Sequence, residues 1–254
     1  MFDETKNFFF DLDKTIWNWD STIIGAADLV DSLRESDRNV YFHTDNTLLT
    51  RKAYARKLTE MGIPADEEDV ITSGYVAARH LEKEDVREVY AIGESGLFEE
   101  LAARDINNSE DAARVVMGFD RQFSYNKLRR AMNIMSSGTA YVCSTETTFR
   151  NSDRYQPHQG PLNAALEEFG ETVLLGKPGQ AFRDVFKEYF DFFPERSVFI
   201  GDRLADIETG NRLGMETAAV MSGDIDRQKL AEADDIQEPD YGISSLAKLR
   251  RRIL

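Results

Sequence analysis

Two aspartates one residue apart end an apolar run near the start of the chain, in Phe8-Phe9-Phe10-Asp11-Leu12-Asp13-Lys14-Thr15. On an extended strand residues i and i+2 start on the same side, so the two carboxylates begin together before the turn splays them. Groups this close repel, and both stay ionised only where a cation or hydrogen-bond donors offset the charge; otherwise one keeps a proton. Either state is useful: one group can attack as a nucleophile beside a hard cation while the other carries a proton. A strand-end turn with helix-capping aspartates is the structural alternative.

Three further strand ends weigh against that alternative. The run Val40-Tyr41-Phe42-His43 leads to Thr44, which offers a hydroxyl and turn N–H groups to an anion, and then to Asp45 and Asn46. Val173-Leu174-Leu175-Gly176 leads to Lys177, and Pro178 then breaks the chain so that the ammonium can point into a crevice. Ser197–Gly201 leads to Asp202, with Asp206 four residues later at the start of a helical pattern. A nucleophile, an anion binder, a cation and a carboxylate pair at four strand ends would be a rare accident in a purely structural domain.

The elements that must position these residues alternate along the chain. Phe8–Phe10, Asn39–His43, Thr172–Leu175, Ser197–Ile200 and Glu216–Val220 read as short buried parallel strands. Ala26–Arg34, Thr50–Met61, Ala181–Phe190 and Asp206–Leu213 carry apolar residues at helical spacing. The pattern is α/β, a doubly wound Rossmann-like parallel sheet whose strand ends form the ligand crevice. The middle repeats the theme, with strands at Glu88–Ile92, Arg114–Met117 and Thr139–Cys143 and helices at Gly96–Arg104 and Tyr125–Ser136. The expected organisation is a host formed by 1–76 and 170–254 with an inserted α/β domain over 77–169.

Composition narrows the chemistry. The 254 residues are 41% hydrophobic, enough for one large core or two modest ones. No apolar stretch approaches the roughly 20 residues that span a bilayer, and the acidic start is unlike a secretory leader, so a cytoplasmic protein without a membrane partner is expected. One cysteine and three histidines cannot assemble an ordinary zinc site, so any metal is expected on oxygen. A net charge of −15 disfavours nucleic acid and leaves a small molecule as the expected partner; a homodimer is left open. The acidic residues are spread through the helices, as on a salt-adapted surface.

In order along the chain, Asp11-Leu-Asp13-x-Thr15, Thr44, Lys177 and Gly201-Asp202-x-x-x-Asp206 resemble the four motifs of the haloacid dehalogenase-like phosphohydrolases. The resemblance is closer still to subfamily IIA, the 4-nitrophenylphosphatase and nucleotide-monophosphatase-like branch with a large α/β cap between the second and third motifs. TRKAYARKLTEMGI, ITSGYVAARHL, VYAIGESGLFEEL and VVMGFDRQFSYNKL look like that branch's stretches. The resemblance implies hydrolysis of small phosphomonoesters (aryl, nucleotide, sugar or glycol phosphates) through an aspartyl-phosphate. Asp11 would be the nucleophile and Asp13 the acid and base. Mg²⁺ would be held by Asp11, the Asp13 carbonyl oxygen and Asp202, with Asp206 steadying its waters or ligating it. Thr44, with Asp45 and Asn46 beside it, and Lys177 would bind the phosphate.

The chain departs from the pattern in three places. Lys14 stands where members often have Gly, and brings an extra cation. Asp45 stands where the branch commonly has Asn. Ser144-Thr145-Glu146-Thr147 replaces the cap's usual Thr-Asn-x-Asp, and Thr145, Glu146 and Thr147 are expected to select the substrate. Asp45 and the altered cap motivate one rival, a phosphate-binding sensor without turnover; a structural acidic protein is another. His43 and Cys143 read as packed core residues, and His80 and His158 as surface positions. Trp17 and Trp19 either shield the site or rest against the cap.

Overall fold

Aromatic and β-branched runs alternate with amphipathic helices, and the chain folds into two compact α/β units. One comprises Met1–Thr44, Tyr54–Val70 and Tyr189–Leu254; the other comprises Asp45–Ala53 and Ile71–Glu188. The structure, a computed structural model, describes residues 2–18, 21–151, 154–221 and 223–253.

The first unit carries five parallel strands in the order Tyr241–Ile243, Glu216–Val220, Ser197–Gly201, Asn7–Asp11, Asn39–Thr44. Asn7–Asp11 therefore has a strand from late in the chain on one side and its sequence successor on the other. Such a reversal of order opens a crevice beyond the strand ends. Burial on both faces explains why this strand shows no alternation: Phe8, Phe9 and Phe10 are all fully buried. Phe9 stacks on Tyr41 at 5.0 Å and meets Phe190 edge-on at 5.2 Å. Each phenylalanine buried in this way stabilises by about 1.5–3 kcal/mol. The strand that ends in Asp11 is thus anchored by packing, independently of the charges at its tip.

The second unit has its own parallel sheet, in the order Thr172–Leu174, Thr139–Val142, Arg114–Met117, Glu88–Ile92, Asn107–Asn108. Ile92, Val115, Met117, Ile134, Val142 and Leu166 form one core there. Helix Ser73–Lys83 starts where the Thr72 hydroxyl accepts the Tyr75 N–H, and Tyr125–Met135 starts on the equivalent bond from Lys127 to Ser124. A hairpin of Thr148–Asn151 with Arg154–Pro157 completes the unit.

The helices expected around residues 26–34, 50–61, 96–104, 125–136, 181–190 and 206–213 are present within two residues at most ends. Thr172–Leu174 differs from the reading: it pairs with Thr139–Val142 in the second sheet and is not one of the host's strands. His158 also differs. It is buried, stacked on Phe119 at 4.2 Å with its Nε2 3.2 Å from Glu146 Oε2, and those two partners remove it from the surface. Trp19 lies outside the described residues.

Candidate active site

Asp11 closes the Asn7–Asp11 strand and is 1% exposed. Strand register sets it opposite His43, whose Nδ1 is 3.6 Å from Asp11 Oδ1. His43 stacks on Phe199 at 4.0 Å, the packed role expected for it, yet it also stands at the carboxylate cluster. One ligand-type atom from each of Asp11, His43 and Asp206 lies within 4.8 Å of the others, all three side chains being buried. Asp202, at the tip of Ser197–Gly201, has its carboxyl held well above the usual carboxylate range, first by burial and then by the charges of Asp11 and Asp206. Buried carboxylates that resist ionising together are relieved by a hard divalent cation. The oxygen-rich donor set around Asp11, Asp202 and Asp206 fits Mg²⁺, and His43 adds one ring nitrogen at its margin.

Asp13 is in a different environment. Leu12 carbonyl oxygen accepts the N–H groups of Ile16 and Trp17 at 2.9 and 3.1 Å, and Lys14 N–H donates to Trp17 oxygen at 2.6 Å. This tight turn brings Trp17 Nε1 to 3.0 Å from Asp13 Oδ1, while Thr44 Oγ1 donates to Asp13 Oδ2 at 3.3 Å. Trp17 is fully buried, stacked on Tyr54 at 6.0 Å with the Lys57 ammonium 4.1 Å from its ring. Both oxygens of Asp13 are therefore aimed by neutral donors, one of which is rigidly packed. The indole donor was not visible in the sequence; its signal is a tryptophan four residues after Asp13, on the far side of a four-residue turn.

The remaining predicted residues lie in the second unit. Asp45 is buried, and its Oδ1 accepts the backbone N–H of Lys177 at 3.0 Å, while its carbonyl accepts the Ser73 hydroxyl at 2.7 Å. Lys177 is fully buried, and the bond to Pro178 is cis. Gly176 permits this approach, because a Cβ there would overlap the carbonyl oxygen of Cys143 and press on Asp45. The Cys143 thiol is pushed up by burial, which makes it inert packing. Asn46 turns its side-chain oxygen to the Leu48 N–H at 3.0 Å. Thr145, Glu146 and Thr147 follow the Thr139–Val142 strand; Glu146 N–H donates to Ser144 Oγ, and its carboxylate faces His158.

Two family models match the chain. One, described as haloacid dehalogenase-like hydrolase, covers residues 8–107, and a second, HAD-hydrolase-like, covers 174–249; together they span more than half of it. The chain belongs to the haloacid dehalogenase-like hydrolases. It is 29% identical over 250 residues to the 5'-nucleotidase YutF of Bacillus subtilis, covering 96% of each. A crystal structure of 4-nitrophenylphosphatase from Thermotoga maritima superposes with a TM-score of 0.90 at 26% identity, over 100% of this chain and 99% of that one. Glycerol phosphate phosphatase from Mycobacterium tuberculosis, solved in complex with calcium, superposes with a TM-score of 0.86 at 26% identity, over 98% of this chain and 75% of that one. The α/β architecture and the IIA branch expected from the motifs both agree with these neighbours.

Proposed function

We propose that this hydrolase is a Mg²⁺-dependent phosphomonoesterase working through an aspartyl-phosphate on Asp11. The observation that carries the reading is the contrast between two aspartates one residue apart. Asp11 belongs to a buried carboxylate cluster suited to a cation, and Asp13 is aimed by Trp17 and Thr44. Environments that separate two carboxylates in this way separate their roles. A carboxylate oxygen of Asp11 attacks phosphorus, and the ester oxygen leaves with the proton of Asp13. Asp13 then takes a proton from water, whose oxygen attacks the phosphoryl group, freeing phosphate and restoring Asp11. Asp11, the Asp13 carbonyl oxygen and Asp202 would hold Mg²⁺, with Asp206 behind them. When bound, the ion offsets the negative charge shared by these groups and the phosphoryl oxygens.

Thr44 and Lys177 would receive the phosphoryl oxygens, since phosphoryl transfer depends mainly on positioning and charge compensation. Asp45 would act one step back, holding the Lys177 main chain, and Asn46 would shape the same loop. That task for Asp45 would answer one of the two motives for the sensor rival, the altered cap being the other. Thr145, Glu146 and Thr147 in the inserted cap would discriminate among leaving groups. Small phosphomonoesters are the substrate class, in keeping with the aryl phosphate, nucleotide and glycerol phosphate named for the relatives. A cytoplasmic location fits the composition, and a homodimer is the assembly to test by sedimentation. The experiment is release of phosphate from 4-nitrophenyl phosphate with Mg²⁺, its loss on adding EDTA and its return with excess Mg²⁺. Phosphate-analogue binding without any turnover would leave the sensor reading in its place.

A further inference from the structure

Lys14, directly after Asp13, has a φ of +61°, a left-handed conformation that a residue with a Cβ adopts only at a cost. Its Nζ donates to both carboxylate oxygens of Asp224, 2.7 Å each, with the two side chains 23% and 35% exposed. The loop that carries Asp224 in turn grips Asp202. Asp224 N–H donates to Asp202 Oδ2 at 2.8 Å, and Ile225 N–H donates to the Asp202 carbonyl oxygen at 2.8 Å. Gly223 lies so close that any Cβ there would overlap the Asp202 side chain. Ile225 is buried with Ile207 and Ala219, and the Lys229 ammonium donates to the Asp224 carbonyl oxygen at 2.7 Å. The loop is therefore held at its far end as well.

From this chain of contacts we infer that Lys14 and Asp224 form a strap, tying the turn that carries Asp13 to the loop that aims Asp202. The strap is a positioning device for the metal site; Lys14 is not a further phosphate-binding cation. Three features argue for it. A lysine serving the substrate would leave its ammonium directed at the anion, whereas here both carboxylate oxygens of one aspartate engage it. The partial burial of the pair makes it worth more than an open surface contact. The bond it steadies, Asp224 N–H to Asp202, fixes one lone pair of Asp202 and so sets the direction of the other, and partners that orient metal ligands in this way tune affinity. The residue that departs from the family's usual Gly thereby gains a task at the same centre, with its partner in a loop more than two hundred residues away.

The inference rests on the phosphatase reading, and the test separates the two. Mg²⁺ is titrated calorimetrically into the substrate-free full-length protein and into Lys14→Met, Asp224→Asn, the double variant and Lys14→Gly, which accepts the left-handed φ without strain. Steady-state kinetics on 4-nitrophenyl phosphate are measured alongside. Each single variant is expected to weaken Mg²⁺ binding about threefold to tenfold. The double variant should be no weaker than the worse single, because one shared contact is lost. An active wild type whose variants bind Mg²⁺ equally well overturns the strap alone. So does a Lys14→Met that raises KM for the substrate with Mg²⁺ affinity unchanged. A wild type that neither binds Mg²⁺ nor hydrolyses the ester overturns the phosphatase reading and the strap with it.

Discussion

Asp13 holds its orientation through two neutral donors, and Trp17 is the firmer of them because its ring is fixed by Tyr54 and Lys57. A side chain that must give a proton in one step and take one in the next benefits from being aimed more than from being charged. Trp17→Phe keeps most of the packing and deletes the indole N–H. Losing a hydrogen bond to an ionisable group costs about 1.5 kcal/mol, so kcat on 4-nitrophenyl phosphate should fall roughly tenfold with KM little changed. An unchanged kcat in a variant with the wild-type melting temperature would show that the indole does not aim Asp13. At this scale Asp11, Asp13, Thr44, Lys177, Asp202 and Asp206 could be picked out as candidates from the sequence, since charged or hydroxyl groups at the ends of apolar runs have few structural uses. Trp17 and His43 were not. A buried indole reads as core whether or not its N–H has a partner, and the Asp11–His43 register exists only once two strands have paired. His158 was misread because its polar sequence neighbours conceal a ring stacked on Phe119.

Elements carry the residues to their places through their ends. In the second unit, Glu94 lies between the Glu88–Ile92 strand and the Ser95–Ala102 helix, and Arg121 follows the Arg114–Met117 strand. Arg121 Nε and Nη2 donate to the two Glu94 oxygens at 2.8 and 2.5 Å, and Arg121 N–H donates at 3.0 Å. The guanidinium bonds, acting against some desolvation, hold the Glu94 carboxyl below its ordinary value of 4.5. A depressed carboxyl contributes stability that is present above its unfolded value and is lost as pH falls through the folded one. Glu94→Gln should therefore lower the melting temperature at pH 7, with the deficit shrinking as the pH falls below 4.5 and the carboxyl of the wild type takes up its proton. Arg121 is more than half exposed, so solvent screening limits the effect to about 0.5–1 kcal/mol. A deficit that persists undiminished in acid would assign the loss to packing. The alternation of strands and helices was legible because each run is short and uniformly apolar. The sheet that Thr172–Leu174 joins was not, because three residues carry too little pattern to choose a partner. The Thr148–Asn151 hairpin strand, with three polar residues in four, shows no apolar run at all.

Over the whole molecule, 46 acidic residues stand against 31 basic ones. Among the described residues no helix is long and apolar enough to cross a membrane. A surface carrying this excess repels itself, and at about 0.1 M salt the Debye length is still near 10 Å, so repulsion between neighbouring patches persists. If the acidic surface is a salt adaptation, the melting temperature should climb steadily as KCl is raised towards molar concentration. A flat or falling curve would leave an acidic protein with no such adaptation. The same carboxylate excess makes the cation-compatible cluster at Asp11 the place where charge must be offset before an anionic phosphate can approach. The central claim is that Asp11 itself forms the bond to phosphorus. Turnover of 4-nitrophenyl phosphate by Asp11→Asn in saturating Mg²⁺ tests this most directly, because the amide nearly matches the carboxylate in shape but cannot attack. The account predicts a folded protein with no turnover above background; retention of even about a tenth of the wild-type rate, only some 1.4 kcal/mol of barrier, would contradict it.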